Sequence, residues 1–300
     1  MDENFRCGYI TIIGRPNVGK STLLNKILGQ KISATSRKPQ TTRWHLLGIK
    51  TNTNCQAIYV DTPGVQNKYM DGINRHMAKE VTNSLANVDI VIFMIEPLSW
   101  ADEEEHIMGL LDQLTISLFL VVNKIDKVKD KDKLLPFIEK IANFDKFAEI
   151  LPVSVHNGSN VKKLEDIVYS YLPAAPKEFS DEQFSDRNER FFAAEFIREK
   201  LVRTLGEELP YRISVSIEQF KLKENVLHIY ATIWAEGQRH KKIIVGKNGA
   251  ILKSVGVQSR KDMENMFEHK VFLQTWVKVK EKWTENAKAL KQFGYNSQTF

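Results

Sequence analysis

A chain of 300 residues, 42% hydrophobic and 27% charged, is long enough for two domains that each bury a core. Its longest strongly apolar runs, Ile90–Ile95 and Leu118–Val122, fall far short of the ~18 residues that span a bilayer, and the acidic start Met1-Asp2-Glu3-Asn4 lacks the apolar region of a signal peptide. The net charge of +6 is uneven: residues 181–300 hold 21 Lys/Arg against 16 Asp/Glu, so nearly all the excess lies in the C-terminal part. Cys7 and Cys55 have no metal or redox spacing and read as buried residues in a reducing cytosol.

In chain order, residues 1–172 alternate apolar strands with amphipathic helices. Strands are predicted at Tyr9–Ile13, Leu46–Thr51, Gln56–Val60, Ile90–Ile95, Leu118–Asn123 and Glu149–Val153. Helices are predicted at Lys20–Leu28, Ile73–Leu85, Asp102–Leu114, Lys133–Asn143 and Val161–Tyr171. This pattern gives an α/β fold, a mostly parallel sheet with helices on both faces. Leu172-Pro173-Ala174-Ala175-Pro176 and the polar Lys177–Asn188 then read as a boundary and linker. After it the order changes to helix (Arg190–Leu205), strand (Ser214–Phe220), strand (Val226–Ala235), short helix (Lys241–Val245), helix (Ala250–Phe267) and strand (Lys270–Val279), an α+β domain.

Three strings stand at strand ends, where such sheets bind ligands. Gly14-Arg15-Pro16-Asn17-Val18-Gly19-Lys20-Ser21 matches G-x-x-x-x-G-K-[ST] between a strand and a helix, the context in which that loop cradles phosphates. Gly14 and Gly19 let backbone N–H groups aim at phosphate oxygens, and the helix N-terminus adds positive potential. Lys20 is expected to reach the β- and γ-phosphates, and the Ser21 hydroxyl to ligate Mg²⁺. Asp61-Thr62-Pro63-Gly64 brings Asp61 to the same Mg²⁺, directly or through water, and the Gly64 N–H to the γ-phosphate, so the segment from Gly64 onward is ordered by GTP and released after hydrolysis. Asn123-Lys124-Ile125-Asp126 selects the base. The Asp126 carboxylate accepts from both guanine N1–H and the N2 amine, where adenine leaves it facing an unpaired edge. The Lys124 stem lies along the base and Asn123 braces the loop. In Ser154-Val155-His156 the Val155 N–H is placed to meet guanine O6. The polar, hydroxyl-rich Ser33–Arg43 supplies a second Mg²⁺ hydroxyl from Thr41 or Thr42, with Thr41 favoured.

In the C-terminal part, Arg239, Lys241, Lys242, Lys247, Lys253, Arg260 and Lys261 run without an intervening acid and point to a polyanion. Gly246-Lys247-Asn248-Gly249 sits inside this stretch between two helices. The helix–strand–strand–helix–helix–strand order around a G-x-x-G turn resembles a KH domain of the type II order, whose loop clamps about four nucleotides of single-stranded nucleic acid. Lys241, Lys242, Lys247 and Lys253 are then phosphate partners beside Gly246, Asn248 and Gly249. Ile244 and Ile251 either floor the base groove or pack in the core. Trp234, Trp276 and Trp283 are read as core or domain contacts rather than stacking platforms.

On these strings, and on Lys31-Ile32-Ser33, Thr35-Ser36-Arg37-Lys38, Gln40-Thr41-Thr42-Arg43, Ile197-Arg198-Glu199-Lys200-Leu201, Glu208-Leu209-Pro210-Tyr211 and Arg260-Lys261-Asp262-Met263, the chain resembles the translation-factor-related GTPases and, among them, the Era family. The resemblance covers nearly the whole chain and implies a GTPase domain over 1–172, a linker over 173–189, a KH type II domain over 190–280 and a C-terminal tail over 281–300. It departs at Val155, where the family usually has Ala. It implies binding to the 3′ end of 16S ribosomal RNA and a role in 30S subunit assembly. It further implies a cytoplasmic monomer with a peripheral fraction on the inner membrane. Val65 stands where many regulatory GTPases place a water-orienting Gln, so slow basal turnover is expected. Related GTPases with Asn at the place of Asn17 coordinate K⁺ there, which implies K⁺-stimulated hydrolysis; the alternative is that Asn17 only shapes the turn. Three other readings remain: an RNA chaperone that holds GTP as a structural ligand, a tRNA-modifying GTPase, for which no cysteine or cofactor motif is present, and a Der-type assembly GTPase, which carries two GTPase domains where this chain has one.

Overall fold

The computed structural model describes residues 5–36, 38, 42–44, 46–64, 84–206, 209–286, 289–290 and 293. The first sheet has six strands, β1 (Arg6–Ile13), β2 (Leu46–Thr51), β3 (Cys55–Asp61), β4 (Ile90–Ile95), β5 (Ser117–Val122) and β6 (Glu149–Pro152), in the order β2-β3-β1-β4-β5-β6. All neighbours are parallel except β2 and β3. Every residue of β3 and β4 is buried, the expected consequence of covering a parallel sheet on both faces. Helices α1 (Lys20–Leu28), α2 (Asp102–Leu111), α3 (Leu134–Ala142) and α4 (Val161–Tyr171) belong to this unit. The strand order reverses at β1, so the loop after β1 opens into the crevice where doubly wound sheets take their ligands. Nearly all of the helix expected at Ile73–Leu85 lies outside the described residues.

The second sheet has three strands, β7 (Ile213–Lys223), β8 (Val226–Ala235) and β9 (Lys270–Val279). β7 pairs antiparallel with β8, with a register shift between Ile217 and Gln219, and β8 pairs parallel with β9. Helices α5 (Glu189–Thr204), α6 (Gln238–Val245) and α7 (Ala250–Phe267) cover one face. Leu227, Ile229, Ala231, Ile233 and Ala235 alternate along β8 into that core, as a half-buried strand requires.

Helix α5 is unusual in being buried on several sides, charged residues included. Phe192, Phe196, Ile197 and Leu201 join the core, while Glu195, Arg198, Glu199 and Lys200 are also buried. The charged side lies against the segment after α1. Trp44 donates to Glu195, Lys31 pairs with Glu199 and Asp262, and Arg43 donates to the Ile213 carbonyl.

The expected linker is fastened rather than loose. Ala174 bridges to Arg6 and Ser185 to Gly48. Gln56 accepts the backbone N–H groups of Glu178 and Phe179. Phe179 and Ala175 pack on Cys7, Leu47, Ile49, Ile58 and Val60. Phe179 from the polar stretch and Ala175 just before it thus join Phe5 and Tyr9 in covering this face of β1–β3.

Candidate nucleotide and nucleic-acid sites

The loop after β1 has the backbone that its glycines predict. Gly14 and Gly19 have φ of 154° and 112°, and a Cβ would meet the Met94 carbonyl at 2.3 Å or Asn123 Nδ2 at 2.4 Å. Between them Asn17 has φ 67°, a left-handed conformation that Asn tolerates better than most residues. Lys20 is buried and its Nζ donates to the Gly14 and Arg15 carbonyls at 2.9 and 2.8 Å. Burial pushes its pKa down to about 8, with Asp61 pulling the other way. Val18 is buried, with its carbonyl accepting from Asn123 Nδ2. The Arg15 side chain is turned away to Glu104 and Ser99, so it braces α2 rather than facing the loop interior.

Asp61 ends β3 fully buried, and burial raises its pKa against hydrogen bonds from Ser33, Ser21 and Thr42 and the charge of Lys20. Its Oδ2 accepts from Ser33 at 2.5 Å and Ser21 at 3.0 Å, with the Thr42 hydroxyl at 3.4 Å. Ser21 and Thr42 hydroxyls are 2.8 Å apart. The described neighbour of Ser21 and Asp61 is therefore Thr42; Thr41, favoured from the sequence, lies outside the described residues, as does Val65. Asp61 Oδ1 is buried and, among the described residues, has no hydrogen-bond partner. An orphaned carboxylate oxygen beside two hydroxyls is a hard-oxygen set that fits Mg²⁺. Thr62 donates to the Ile12 carbonyl and holds the strand end. Gly64 stands against Pro16, where a Cβ would lie 2.9 Å from the Pro16 nitrogen, and Pro63 carries the chain into that contact.

The third string closes the far side. Asn123 ties to Val18 and, through Oδ1, to the Val155 N–H at 3.1 Å. That N–H, expected to meet guanine O6, is here directed at Asn123 instead, because Val155 is buried beside the carboxamide. Lys124 donates to the Asn17 carbonyl at 2.6 Å and pairs with Glu96. Ile125 packs on the neighbouring core. Ser154 donates to Asp126 at 2.5 Å, and that bond holds the exposed Asp126 carboxyl below its usual range. Together these groups line a cleft of about 1130 Å³ that runs from Lys20 and Ser21 to Asp126 and Lys127.

The cleft also has walls from the segment expected to supply a Mg²⁺ hydroxyl and, missed by sequence reasoning, from α5. Ala34, Thr35, Ser36 and Lys38 line it, and so does Arg203 from α5. Arg203 donates to the Thr35 carbonyl and hydroxyl at 2.8 and 2.9 Å and to Glu199 at 2.5 Å. Glu199, fully buried, also takes Lys31. Asp262 of α7 pairs with Lys31 and Lys200. Burial opposes its charge, yet hydrogen bonds from those lysines hold its carboxyl below the usual range. The contact between Arg203 and Thr35 joins segments 168 positions apart, and no local pattern signals it.

In the C-terminal unit the turn Gly246–Gly249 has positive φ at Gly246 (73°), Asn248 (51°) and Gly249 (76°), and a Cβ on Gly246 would meet Ile251 at 2.7 Å. Next to it a groove of about 370 Å³ is lined by Gly249, Leu252, Lys253, Gly256, Val257 and Arg260 of the α7 side and by Leu273 and Thr275 of β9. Lys242, Lys247 and Asn248 are exposed on the preceding helix and turn, and Lys241 is half-buried. Ile244 does not floor the groove. It is wholly buried in the core because it is on the inward side of α6, and Leu252, Val257 and Leu273 provide the apolar lining instead. Of the tryptophans, Trp283 is fully buried and packs on Phe293, and Trp234 also meets Phe293. Trp276, expected as a core or domain contact, is 42% exposed.

Comparison with known proteins agrees with this geometry. Residues 9–124 match the family model described as 50S ribosome-binding GTPase, and residues 208–284 match the KH domain. The GTPase Era of Coxiella burnetii is 47% identical over 96% of this chain and 98% of its own length. That of Marinobacter nauticus is 48% identical over 96% and 95%. Among solved structures, Era in complex with MgGDPNP and nucleotides 1506–1542 of 16S ribosomal RNA superposes with a TM-score of 0.92 at 35% identity, covering 97% of this chain and 99% of the other. An Aquifex aeolicus Era variant bound to GDP·AlF4⁻ gives the same values. Relatives 47–48% identical over nearly the full length of both chains, together with the GTPase and KH family matches, place this chain in the Era family of GTPases.

Proposed function

We propose that this GTPase is a switch whose nucleotide state sets how its KH domain holds the 3′ end of small-subunit ribosomal RNA during 30S assembly. The observation that carries this is the position of the segment 33–44. Its Ser33 and Thr42 hydroxyls face Asp61, while its Thr35 and Trp44 are held by Glu199, Arg203 and Glu195 of the KH-side helix. A group that ligates the nucleotide's metal and a group that touches the second domain sit on one short stretch.

In this reading Gly14–Lys20 cradles the phosphates and Asp126 selects guanine. Ser21, Asp61 and one of Thr41 or Thr42 would hold Mg²⁺, which when bound neutralises charge developing on the phosphates. The Gly64 N–H senses the terminal phosphate. An entering phosphate would give Lys20, held until then by the Gly14 and Arg15 carbonyls, an anionic partner that offsets the burial effect on its ammonium. The left-handed Asn17, whose carbonyl is taken by Lys124, supports a turn-shaping role by itself. A K⁺ site there is tested by comparing turnover in KCl and NaCl: equal rates assign Asn17 to the turn alone.

The solved complex of a 35%-identical Era with the 16S segment supports the RNA partner, and the basic groove beside Gly246–Gly249 supports its place. A basic face suits anionic lipid as well, which gives a peripheral membrane fraction a physical basis; vesicle flotation tests it. The reading as a whole is tested by binding of an oligonucleotide of the 16S 3′ end to the full chain. Tight binding by the natural chain, weakened in Gly246→Asp, is expected; equal binding by both removes the groove from the function.

A further inference from the structure

Helices α5, α6 and α7 cover one face of the second sheet, and on the other Phe293 packs on Trp234 toward the ends of β8 and β9, leaving the rest open. The opposite face carries His228 and Tyr230 of β8 and Phe272 and Trp276 of β9. Phe272 and Trp276 are 46% and 42% exposed. The rings form a continuous set. Tyr230 lies nearly parallel to Trp276, centroids 5.8 Å apart at 21°, and meets Phe272 edge-on at 6.1 Å; Phe272 lies 5.2 Å from His228. A sheet that merely needed solubility would place polar groups here.

We propose that this outer sheet face is a stacking platform for unpaired nucleotides of RNA, separate from the groove beside Gly246–Gly249. Bases stack on exposed aromatic rings without regard to sequence, and a neighbouring cationic track holds the backbone. The strand pairing places Lys221 opposite His228 and Lys278 opposite Trp234, and Lys270 begins β9 on the same face. Lys278 also lies 5.7 Å over the Trp234 ring. The carboxylate on this face is Glu218 at the register shift, which accepts from Ser216. Within the described residues of the three strands, Lys221, Lys223, Lys270 and Lys278 share this face with one carboxylate and so complement a polyanion with flat apolar groups. The core of a protein–protein interface is instead depleted in lysine. Phe272 and Trp276 stand four residues apart on one strand, about 13 Å, so separate bases can use them.

The proposal rests on the C-terminal domain being an RNA binder but uses different residues, so the two can fail separately. The test measures anisotropy of a labelled oligouridylate of about twelve nucleotides with the full chain at low salt. Gly246→Asp should leave residual, salt-sensitive binding. Adding Phe272→Leu and Trp276→Leu, which keep apolar surface but remove the rings, should weaken that residue roughly tenfold. Trp276→Phe on the Gly246→Asp background should stay within about threefold, and thermal midpoints should match, since both positions are exposed. Equal affinity with and without the leucine pair overturns the platform, as does complete loss of binding in Gly246→Asp alone. Loss of binding to purified small subunits with unchanged RNA affinity also overturns it and assigns the face to a protein. If Gly246→Asp binds as the natural chain does, the groove reading fails while the leucine pair still decides the platform.

Discussion

The two sheets carry their chemistry in different places because they are covered differently. The six-stranded sheet is buried on both faces, so its strands are continuous apolar runs and its function is confined to loops at the strand ends. The three-stranded sheet is covered on one face, so its chemistry can use a turn, a groove at the edge strand, and the open face itself. Loop function on a rigid sheet concentrates in short contiguous strings. Function on a half-covered sheet is spread over alternate residues of separate strands. The first is written compactly in a sequence and the second is not.

Substitutions can break this contrast. The largest effect is expected at the base-selecting loop. Asp126→Asn should move preference from GTP toward xanthosine triphosphate by a factor on the order of 10⁴, read by competition binding; unchanged GTP preference would remove Asp126 from the site. Next is the buried cluster between the units. Glu199→Ala removes the buried carboxylate that Lys31 and Arg203 share, leaving Lys31 to Asp262, and should cost about 1.5–3 kcal/mol of unfolding free energy, measured by denaturant titration. A change under ~1 kcal/mol would show that the contact is not held. Gly246→Asp, strained by its φ and placed against Ile251, should weaken RNA binding by roughly 10- to 100-fold while leaving GTP turnover intact.

The smallest effect is a pH effect. Burial holds Lys20 near 8 in the nucleotide-free chain, below its unfolded value, so the cost of keeping it charged is present below pH 8. That cost is relieved as pH rises from 8 toward the unfolded pKa, and the nucleotide-free chain gains stability over that window. A phosphate partner restores the charged form. Nucleotide binding should therefore take up protons above pH 8, about one per site at most, and affinity should fall with rising pH there. Calorimetry in buffers of different ionisation enthalpy checks this, and no proton uptake at pH 8.5 would contradict it.

The nucleotide site was largely legible because strand, turn and helix signals converge within each string. Gly14, Gly19, Lys20, Asp61 and Asn123 meet as expected. What stayed hidden depends on distance and on side. Thr41 and Thr42 are adjacent, and no periodicity tells which hydroxyl turns toward Ser21. Ser33 reaches Asp61 through a loop whose path has no sequence signature. The linker reads as polar, yet Phe179 and the Gln56 carboxamide fasten it to the sheet. Ile244 shares the basic stretch but lies on the inward side of its helix. Trp276 follows the same alternation as the outward Phe272, which overrides the usual burial of a large apolar ring. Arg203 enters the nucleotide cleft from the other domain, a contact set by tertiary packing alone.

The central claim is that the segment 33–44 transmits nucleotide state to the KH domain. A ligand shifts an equilibrium only by its differential affinity, so the most direct measurement is the Kd of the full chain for a 16S 3′-end oligonucleotide, with Mg²⁺ and either a non-hydrolysable GTP analogue or GDP. The account predicts different affinities in the two states, and convergence of the two in Glu199→Ala. Equal affinities in the natural chain would contradict it.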